Sequence, residues 1–404
     1  MDRFEVEPEQ INVNLEQPSA NQSELLQKYC QNRKLMWIII FSIIVVLVLV
    51  ITIPIVILKT KKLTIIITTT TEITITTMTT EITAKEITTT KNKQTTEEQI
   101  KSKYNQWKKN GITVAGGIRS GNGLDQLDQP HGILIDDKAI IIADHGNDRI
   151  LQWKFNAKVG EIIAKRNEHG NKTVLLNNPL DVILDKKNDS LIICDSGNKR
   201  VMRWFLKNHT NPQIFIANID CCGLAIDDNG SIYVADCMKN TVTRWKVGDI
   251  NGTVVAGGNG EGNGLNQLDY PTYILVDKDY SLYISDTFNH RVVKWKNGAK
   301  HGVVVAGEKR GGDDLNQLHY PRGVFVDNLS LIYVADHDNH RIMRWCEGDK
   351  QGFVVVGGKG QGQGSDELNS PMDLAFDAEG NLYISDYGNH RIQKFELCFN
   401  KTTC

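Results

Sequence analysis

The sequence predicts an all-β domain, a six-bladed propeller, preceded by one transmembrane helix and a Thr-rich stalk. Three features support this: a long apolar run near the N-terminus, a Thr tract after it, and a unit of about 50 residues that recurs in the remainder. The 34 Gly among 404 residues, beside only 7 Trp and 11 Phe, favour turns and short strands over helices. Lys+Arg total 46 against 48 Asp+Glu, and this balance makes nucleic acid an unlikely partner because a phosphate-binding domain shows a basic excess.

The first element is the apolar segment Met36–Leu58, which contains no charged residue between Lys34 and Lys59. As a helix it is long enough to cross roughly 30 Å of hydrocarbon. A cleaved signal peptide is the alternative, but this segment is too long, starts too late and lacks a small-residue cleavage site. We therefore expect a signal anchor over residues 36–58, preceded by a polar, disordered cytoplasmic tail over residues 1–35.

The orientation of the span follows from what lies beyond it. Three basic residues precede the span, Lys28, Arg33 and Lys34, and three follow it, Lys59, Lys61 and Lys62, so the positive-inside rule does not decide. Residues 59–99 form the Thr-rich stalk, a composition typical of O-glycosylated segments, and seven of the eight Cys lie beyond the span. Seven Asn-X-Ser/Thr acceptors also lie there, at Asn171, Asn188, Asn208, Asn229, Asn251, Asn328 and Asn400. We expect residues 100–404 to be extracellular at the plasma membrane.

The C-terminal region is built from one repeated unit. Each copy has an Asp followed nine residues later by an aromatic residue: Asp144/Trp153, Asp195/Trp204, Asp236/Trp245, Asp286/Trp295, Asp336/Trp345 and Asp386/Phe395. Four short apolar runs separated by turn residues occupy each unit. Four antiparallel strands per unit describe a propeller blade, whereas a parallel β-helix needs shorter repeats and helical solenoids need a 3.6 period.

The two ends of this region predict how the ring closes. The last copy stops after its third strand, near Phe395, while an unattached run, Ile112–Ala115, precedes the first full set. An open blade would expose unpaired backbone donors and acceptors. Ile112–Ala115 should therefore complete the last blade.

The repeat resembles the NHL family over about residues 105–397. The residues that carry the resemblance are Asn289-His290-Arg291, Asn339-His340-Arg341 and Asn389-His390-Arg391, with the variants Asn147-Asp148-Arg149 and Asn198-Lys199-Arg200. In the fourth copy we expect Asp286 to accept turn N–H groups, Asn289 to take the left-handed conformation and Arg291 to reach back to Asp286. These are structural roles. The resemblance implies a six-bladed propeller but little about function, since propellers serve many tasks.

The residues that do not repeat are the candidates for binding. In five copies a Pro opens the innermost strand, and the residues just after it should surround one mouth of the axial channel. The predicted ligand-binding residues are His131, Asp181, Tyr273, Arg322 and Asp373. We expect an extracellular module that binds a protein or a glycan, without a cofactor.

Two other functions compete with this expectation. Peptide-amidating lyases, which look similar among six-bladed proteins, place a His after this Pro in three blades to hold zinc. Here His131 alone matches, so a metal-dependent lyase or hydrolase is not supported, and no catalytic or metal-ligating residue is assigned. NHL propellers of tripartite-motif ubiquitin ligases recruit substrates or RNA, but no paired Cys-X-X-Cys cluster precedes this propeller.

The cysteines gather in the irregular third copy. Cys237 follows the Asp that ends the second strand, and Cys221 and Cys222 begin the adjacent antiparallel strand, so a bridge between these strand ends is geometrically reasonable. Cys194 is available to pair with whichever of Cys221 and Cys222 does not bond Cys237. Near the ring closure lie Cys346, Cys398 and Cys404. Seven is an odd number, so at least one thiol stays unpaired or joins another chain.

Overall fold

The computed structural model describes residues 107–398 except 118, 166–174, 207–210 and 309. The tail, span and stalk expected over residues 1–99 lie outside this part of the chain. Among the residues described, no helix has the length and apolar character needed to cross a membrane. Trp107–Leu397 form a compact unit, and its strands are arranged in six four-stranded antiparallel sheets.

Each sheet is one blade, with strands of four kinds. The innermost strands, which number the blades 1 to 6, are β2 (Pro130–Asp136), β6 (Pro179–Asp185), β10 (Cys221–Ile226), β14 (Pro271–Val276), β18 (Pro321–Val326) and β22 (Pro371–Phe376). The second strands are β3 (Ala139–Asp144), β7 (Ser190–Asp195), β11 (Ile232–Asp236), β15 (Leu282–Asp286), β19 (Leu331–Asp336) and β23 (Leu382–Asp386). The third strands are β4 (Arg149–Lys154), β8 (Arg200–Phe205), β12 (Thr241–Trp245), β16 (Arg291–Trp295), β20 (Arg341–Cys346) and β24 (Arg391–Phe395). The outer strands are β1 (Ile112–Gly116), β5 (Glu161–Lys165), β9 (Gln213–Ala217), β13 (Thr253–Gly257), β17 (Val303–Gly307) and β21 (Phe353–Gly357).

The predicted closure of the ring is confirmed. β1 pairs antiparallel with β24, with Ile112 opposite Lys394 and Gly116 opposite Arg391. Trp107 extends this contact through a bridge to Leu397, and its Nε1 donates to the Gly380 carbonyl at 2.9 Å. Blade 6 is therefore made from both ends of the propeller, so its outer strand is filled in the same way as in the other blades.

The hydrophobic core lies between neighbouring blades. Trp295 of blade 4 packs in one cluster with Tyr233 and Val242 of blade 3, as the wedge-filling role predicted for this aromatic position requires. The second strands are buried along their whole length, for example Leu282–Asp286. Because sheets cover both faces of these strands, their sequences read as continuous apolar runs rather than alternating ones.

A buried polar cluster repeats in the turn between the second and third strands. In blade 4, Asp286 accepts bonds from the Asp269 amide at 2.7 Å, Asn289 Nδ2 at 3.0 Å and Arg291 Nε at 2.7 Å. Arg291 also donates to three carbonyls of the loop that leads into this blade. The same carboxylate, amide and guanidinium recur in blades 1, 2, 5 and 6. The predicted return of Arg to Asp is thus present in five blades.

The left-handed residue of this turn was predicted wrongly. It is His290, with φ +53°, and not Asn289, which lies inside a short 3-10 turn, Thr287–Asn289. Asn289 is needed there because its Nδ2 bonds Asp286 and the Gly262 carbonyl. His290 Nδ1 in turn accepts a bond from the amide of Tyr320 in the next blade at 3.2 Å, so this position links neighbouring blades.

In blade 3 the buried Asp of the turn pairs with a Lys instead of an Arg. Thr241 stands where the other blades have Arg, and Lys239 Nζ pairs with Asp236 Oδ2 at 2.9 Å. The chain passes from β9 to β10 in three residues, so this blade has no long loop whose carbonyls an Arg could bind. Loss of the loop and loss of the Arg therefore go together.

Candidate ligand site at the axial mouth

The start of each innermost strand and the end of its neighbouring second strand build one mouth of the channel. In blade 4, Pro271 pairs with Asp286, and the next residues, Thr272 and Thr287, share a 2.7 Å hydrogen bond between their hydroxyls. Equivalent positions in the six blades are named rim pairs here. The rim pairs are His131/His145, Leu180/Ser196, Cys222/Cys237, Thr272/Thr287, Arg322/His337 and Met372/Tyr387.

The rim pairs differ in whether their two side chains bond each other. Blade 3 closes its pair with the Cys222–Cys237 disulfide, and blade 4 closes its pair with the Thr–Thr hydrogen bond. Blades 5, 6 and 1 instead present polar and aromatic side chains to one another. These five residues, Arg322, His337, Tyr387, His131 and His145, are called the axial mouth. His131 stacks on His145 with centroids 4.4 Å apart and meets Tyr387 edge-on at 5.3 Å.

The disulfides connect the cysteines whose pairing the sequence left open. Cys194 of blade 2 bonds Cys221 of blade 3, with Cα atoms 5.6 Å apart. Cys222 bonds Cys237 within blade 3, with Cα atoms 5.8 Å apart. Adjacent residues reach opposite partners because successive side chains of a strand point to opposite faces.

The cysteines near the ring closure have different surroundings. Cys346 is buried at the end of β20. Cys398 is disulfide-bonded. Cys404 is beyond the residues that the structure describes.

Three buried polar atoms at or just below the axial mouth have no hydrogen-bond partner among the described residues: Arg322 Nε, His145 Nδ1 and Tyr273 Oη. Buried polar groups are normally paired, because leaving one unpaired costs the full desolvation of that group. The repeated Arg side chains of the turns, by contrast, are saturated with acceptors. The bonds that these three atoms lack must therefore come from water or from a ligand.

A deeper layer of side chains fills the channel below the rim. At this position Gly alternates with larger residues: Gly132, Asp181, Gly223, Tyr273, Gly323 and Asp373. The alternation is steric, since a Cβ on Gly132 would lie 2.8 Å from the Asp181 Cα, and one on Gly323 would lie 2.7 Å from the Asp373 Cα. Only every second blade has room for a side chain at this level.

The two predicted carboxylates belong to this deeper layer and are buried. Asp181 Oδ2 accepts the Leu224 amide of blade 3, and Asp373 Oδ2 accepts the Ile133 amide of blade 1, both at 2.8 Å. Of the five predicted binding residues, His131 and Arg322 thus lie at the rim. Asp181, Tyr273 and Asp373 lie beneath it, and the two carboxylates already join neighbouring innermost strands.

The titration of these groups leaves one permanent cation at the axial mouth. Burial, assisted by His145 and Arg322, holds the pKa of His131 well below its ordinary value. Burial also lowers the pKa of His145 and of His337, the latter against the opposing effect of the hydrogen bond that His337 donates to Asp338. These imidazoles are therefore neutral at physiological pH, while a guanidinium remains protonated.

The deeper carboxylates are shifted in the opposite direction. Burial raises the pKa of Asp181 to about 6. Burial together with the neighbouring Asp181 raises the pKa of Asp373 well above its ordinary value. Tyr273, between these groups and Arg322, has its pKa raised by burial and by both carboxylates. The layer below the mouth therefore carries less negative charge than two free carboxylates would.

An aromatic ridge adjoins the mouth, and the sequence reasoning missed it. Tyr270 and Phe288 stack with centroids 4.6 Å apart and 10° between planes, and Phe288 meets Tyr320 edge-on at 5.8 Å. Phe288 is 47% exposed. Tyr270 and Tyr320 both have left-handed backbones, with φ +52° and +50°, a conformation that is rare for bulky residues. The available signal was an aromatic residue directly before Pro271 and Pro321.

The predicted glycosylation sites that the structure describes lie on the opposite side of the ring. Asn188, Asn229, Asn251 and Asn328 are exposed, in turns at the strand ends away from the axial mouth. Asn171, Asn208 and Asn400 are outside the described residues. Among the residues described, no three His, Cys, Asp or Glu side chains form a group that could hold a metal ion.

The described chain is a six-bladed β-propeller. It carries an NHL repeat, since the NHL repeat family profile matches residues 368–395, within blade 6. A search of curated proteins found no match. The match agrees with the resemblance seen in the Asn389-His390-Arg391 turn.

Solved structures share this fold at low identity. A protein of unknown function from Bacteroides thetaiotaomicron has 17% identity and a TM-score of 0.57, covering 71% of this chain and 76% of its own. An auxiliary nutrient binding protein from the same organism has 14% identity and a TM-score of 0.57, covering 73% and 77%. Virginiamycin B lyase from Staphylococcus aureus has 13% identity and a TM-score of 0.44, covering 68% and 97%. At these identities the likeness to the two Bacteroides thetaiotaomicron proteins concerns the fold alone.

Proposed function

We propose that this chain presents its propeller outside the cell on a single membrane span and binds a protein or glycan ligand at the axial mouth. The observation that carries the proposal is the contrast within the rim. Blades 3 and 4 satisfy their rim pairs internally, whereas the mouth leaves Arg322 Nε and His145 Nδ1 buried without a partner. Such unsatisfied groups on a rigid ring are expected where a ligand supplies the missing bonds.

The extracellular location has two supports besides the apolar span. Disulfides persist in oxidising compartments and are rare in the cytosol, and blades 2 and 3 contain two of them. The four described Asn-X-Ser/Thr sites are exposed on the face away from the mouth. Glycans at these positions would leave the mouth face accessible.

The topology is tested by expressing the full chain in cells and treating intact cells with N-glycosidase and with a membrane-impermeant amine-reactive label. The proposal predicts a mobility shift with the glycosidase and labelling of the propeller. An unshifted and unlabelled protein would overturn the extracellular location and return the NHL propeller to a cytosolic role.

The binding face is tested by placing a glycan on it. Lys239→Asn creates an acceptor with Asn240 and Thr241 in the blade 3 turn on the mouth face. The added glycan should abolish binding of ligands identified with the full chain on glycan and cell-surface protein arrays. Asn251→Gln, which removes an acceptor on the opposite face, should leave binding unchanged. Binding that survives Lys239→Asn glycosylation would assign the ligand to another face.

A further inference from the structure

We propose that the axial mouth and the aromatic ridge together bind an acidic glycan, with the carboxylate of a terminal sugar on Arg322 and the sugar ring on Phe288 and Tyr320. This inference rests on the proposed function and names the class of its ligand. It is carried by a half-buried cation without an ion-pair partner among the described residues, beside an exposed stack of aromatic rings.

The guanidinium of Arg322 has no ion-pair partner among the described residues. Its Nε is buried, and within the described residues no carboxylate lies at ion-pair distance from the guanidinium. Asp338 of the same blade acts electrostatically on Arg322 without an ion pair, and it is engaged by His337 Nδ1 at 2.6 Å and lies 3.6 Å from His319 Nδ1. An unpaired buried charge is costly. A ligand carboxylate would remove that cost through paired, charge-assisted hydrogen bonds to the planar guanidinium.

Groups around Arg322 suit the hydroxyls of a sugar. His131 and His145 are neutral imidazoles, each offering one donor and one acceptor nitrogen, and His145 Nδ1 is unpartnered in the described structure. The carboxylates of Asp181 and Asp373 do not compete for Arg322, because they lie deeper and hold backbone amides. The mouth therefore combines one fixed positive charge with neutral polar groups.

The ridge supplies the apolar part of the site. Phe288 exposes nearly half of its surface while Tyr270 and Tyr320 hold it from two sides. The apolar C–H face of a sugar ring packs on such an aromatic surface. Tyr320 lies two residues before Arg322 in sequence, and Tyr270 acts electrostatically on the guanidinium. The charge and the ridge therefore belong to the same face of blades 4 and 5, and the proposal expects one bound glycan to contact both.

A glycan fits this surface better than an extended acidic peptide. Peptides commonly bind by adding a strand to an open sheet edge. Each described blade has two edge strands, the outer one, such as β17 or β21, and the innermost one, which packs against the innermost strands of the neighbouring blades. Recognition at the mouth must therefore rely on side chains, which is how sugars are bound.

The test measures binding of the detergent-solubilised full chain to glycans that end in sialic or uronic acid, each beside the same glycan with its carboxyl group reduced to the alcohol. The acidic form should bind at least tenfold more tightly than the reduced form. Arg322→Gln should remove that difference, and Arg322→Lys should retain part of it, because Lys keeps the charge without the planar fork. Arg322→Gln should not lower the melting temperature, since it removes a buried charge that has no partner.

The ridge is tested separately with a matched pair of aromatic truncations. Phe288→Ala should weaken binding of acidic and reduced glycans alike, by about three- to tenfold, the equivalent of one aromatic contact. Phe155→Ala, at an aromatic residue 36% exposed on the opposite side of the ring, should leave both affinities unchanged. An equal loss in the two variants would overturn the role of the ridge.

The outcomes separate this inference from the proposed function. Acidic and reduced glycans bound equally, or Arg322→Gln without effect on the acidic form, would overturn the inference. Binding of proteins but of no acidic glycan, still blocked by Lys239→Asn glycosylation, would overturn the inference and leave the proposed function in place. Absence of any binding sensitive to the mouth-face glycan would overturn the proposed function.

Discussion

Closure of the ring depends on Trp107, and its removal is the sharpest stability test that the structure offers. The indole is 3% exposed. It packs against Tyr333 and Phe376, with centroids 6.0 and 5.8 Å away, and Nε1 bonds the Gly380 carbonyl. Trp107→Ala should therefore open a cavity between blades 5 and 6 and loosen the segment that leads into β1.

The magnitude follows from the burial. Replacing a fully buried Trp by Ala costs about 3–5 kcal/mol. With roughly 2.1 cal/mol/K of unfolding entropy per residue, a unit of roughly 290 residues loses about 5–8 °C of melting temperature for that cost. Ile112→Ala, in β1 but 50% exposed, should cost under about 1 kcal/mol, or less than about 2 °C.

The assay is thermal unfolding of the full chain in detergent, followed by circular dichroism in the strand region so that loss of a tryptophan does not alter the signal. Equal shifts for Trp107→Ala and Ile112→Ala would refute the idea that buried packing at the N-terminal segment holds the ring closed. A shift below 2 °C for Trp107→Ala would refute the magnitude.

Three further predictions concern the disulfides, the turn clusters and the channel. Peptide mapping of the unreduced protein should yield Cys194–Cys221 and Cys222–Cys237; four free thiols would contradict both the pairing and the extracellular location. Arg291→Met should lower the free energy of unfolding, measured with denaturant, by about 3–5 kcal/mol, because it leaves the buried Asp286 without its cation. Lys239→Met, at a side chain 63% exposed, should cost much less, and equal losses would show that burial does not set the strength of these pairs. Asp181 has a folded pKa of about 6 against an ordinary 3.8, so the folded state binds more protons between these values and stability falls as pH rises through that window. The loss from this group is about 3 kcal/mol. Asp181→Asn should remove that part and leave the contribution of Asp373, whose pKa is also raised; a variant whose melting temperature falls between pH 4 and pH 7 as much as that of the unmodified protein would contradict the shift.

Much of the fold was predictable because its information is local and repeated. An Asp and an aromatic residue at a fixed distance define the second and third strands of every blade. The return of Arg291 to Asp286 was predictable as well, since five residues across a tight antiparallel turn bring these side chains together. The sequence repeat and the blade are offset by one strand, however. The first strand of each repeat is the outer strand of the preceding blade, as β13 is in blade 3.

The site was predictable only in part. The position after each Pro correctly directed attention to the innermost strands, and it includes Arg322 and His131. It could not distinguish the rim from the layer beneath it, because a register irregularity follows the Pro in the paired strands. Arg322, the first residue after its Pro, reaches the mouth, whereas Asp373, the second residue after its Pro, turns inward and accepts the Ile133 amide.

By itself, the sequence determined the period of the blades, their number and the strand that closes the ring, because each follows from apolar patterning within a short stretch of chain. Tertiary structure alone decided which side chains meet across blades. His290 binds the amide of Tyr320 thirty residues away, and Phe288 joins Tyr270 and Tyr320 in one ridge. Such contacts depend on how each sheet packs against the next, and no local pattern records that geometry.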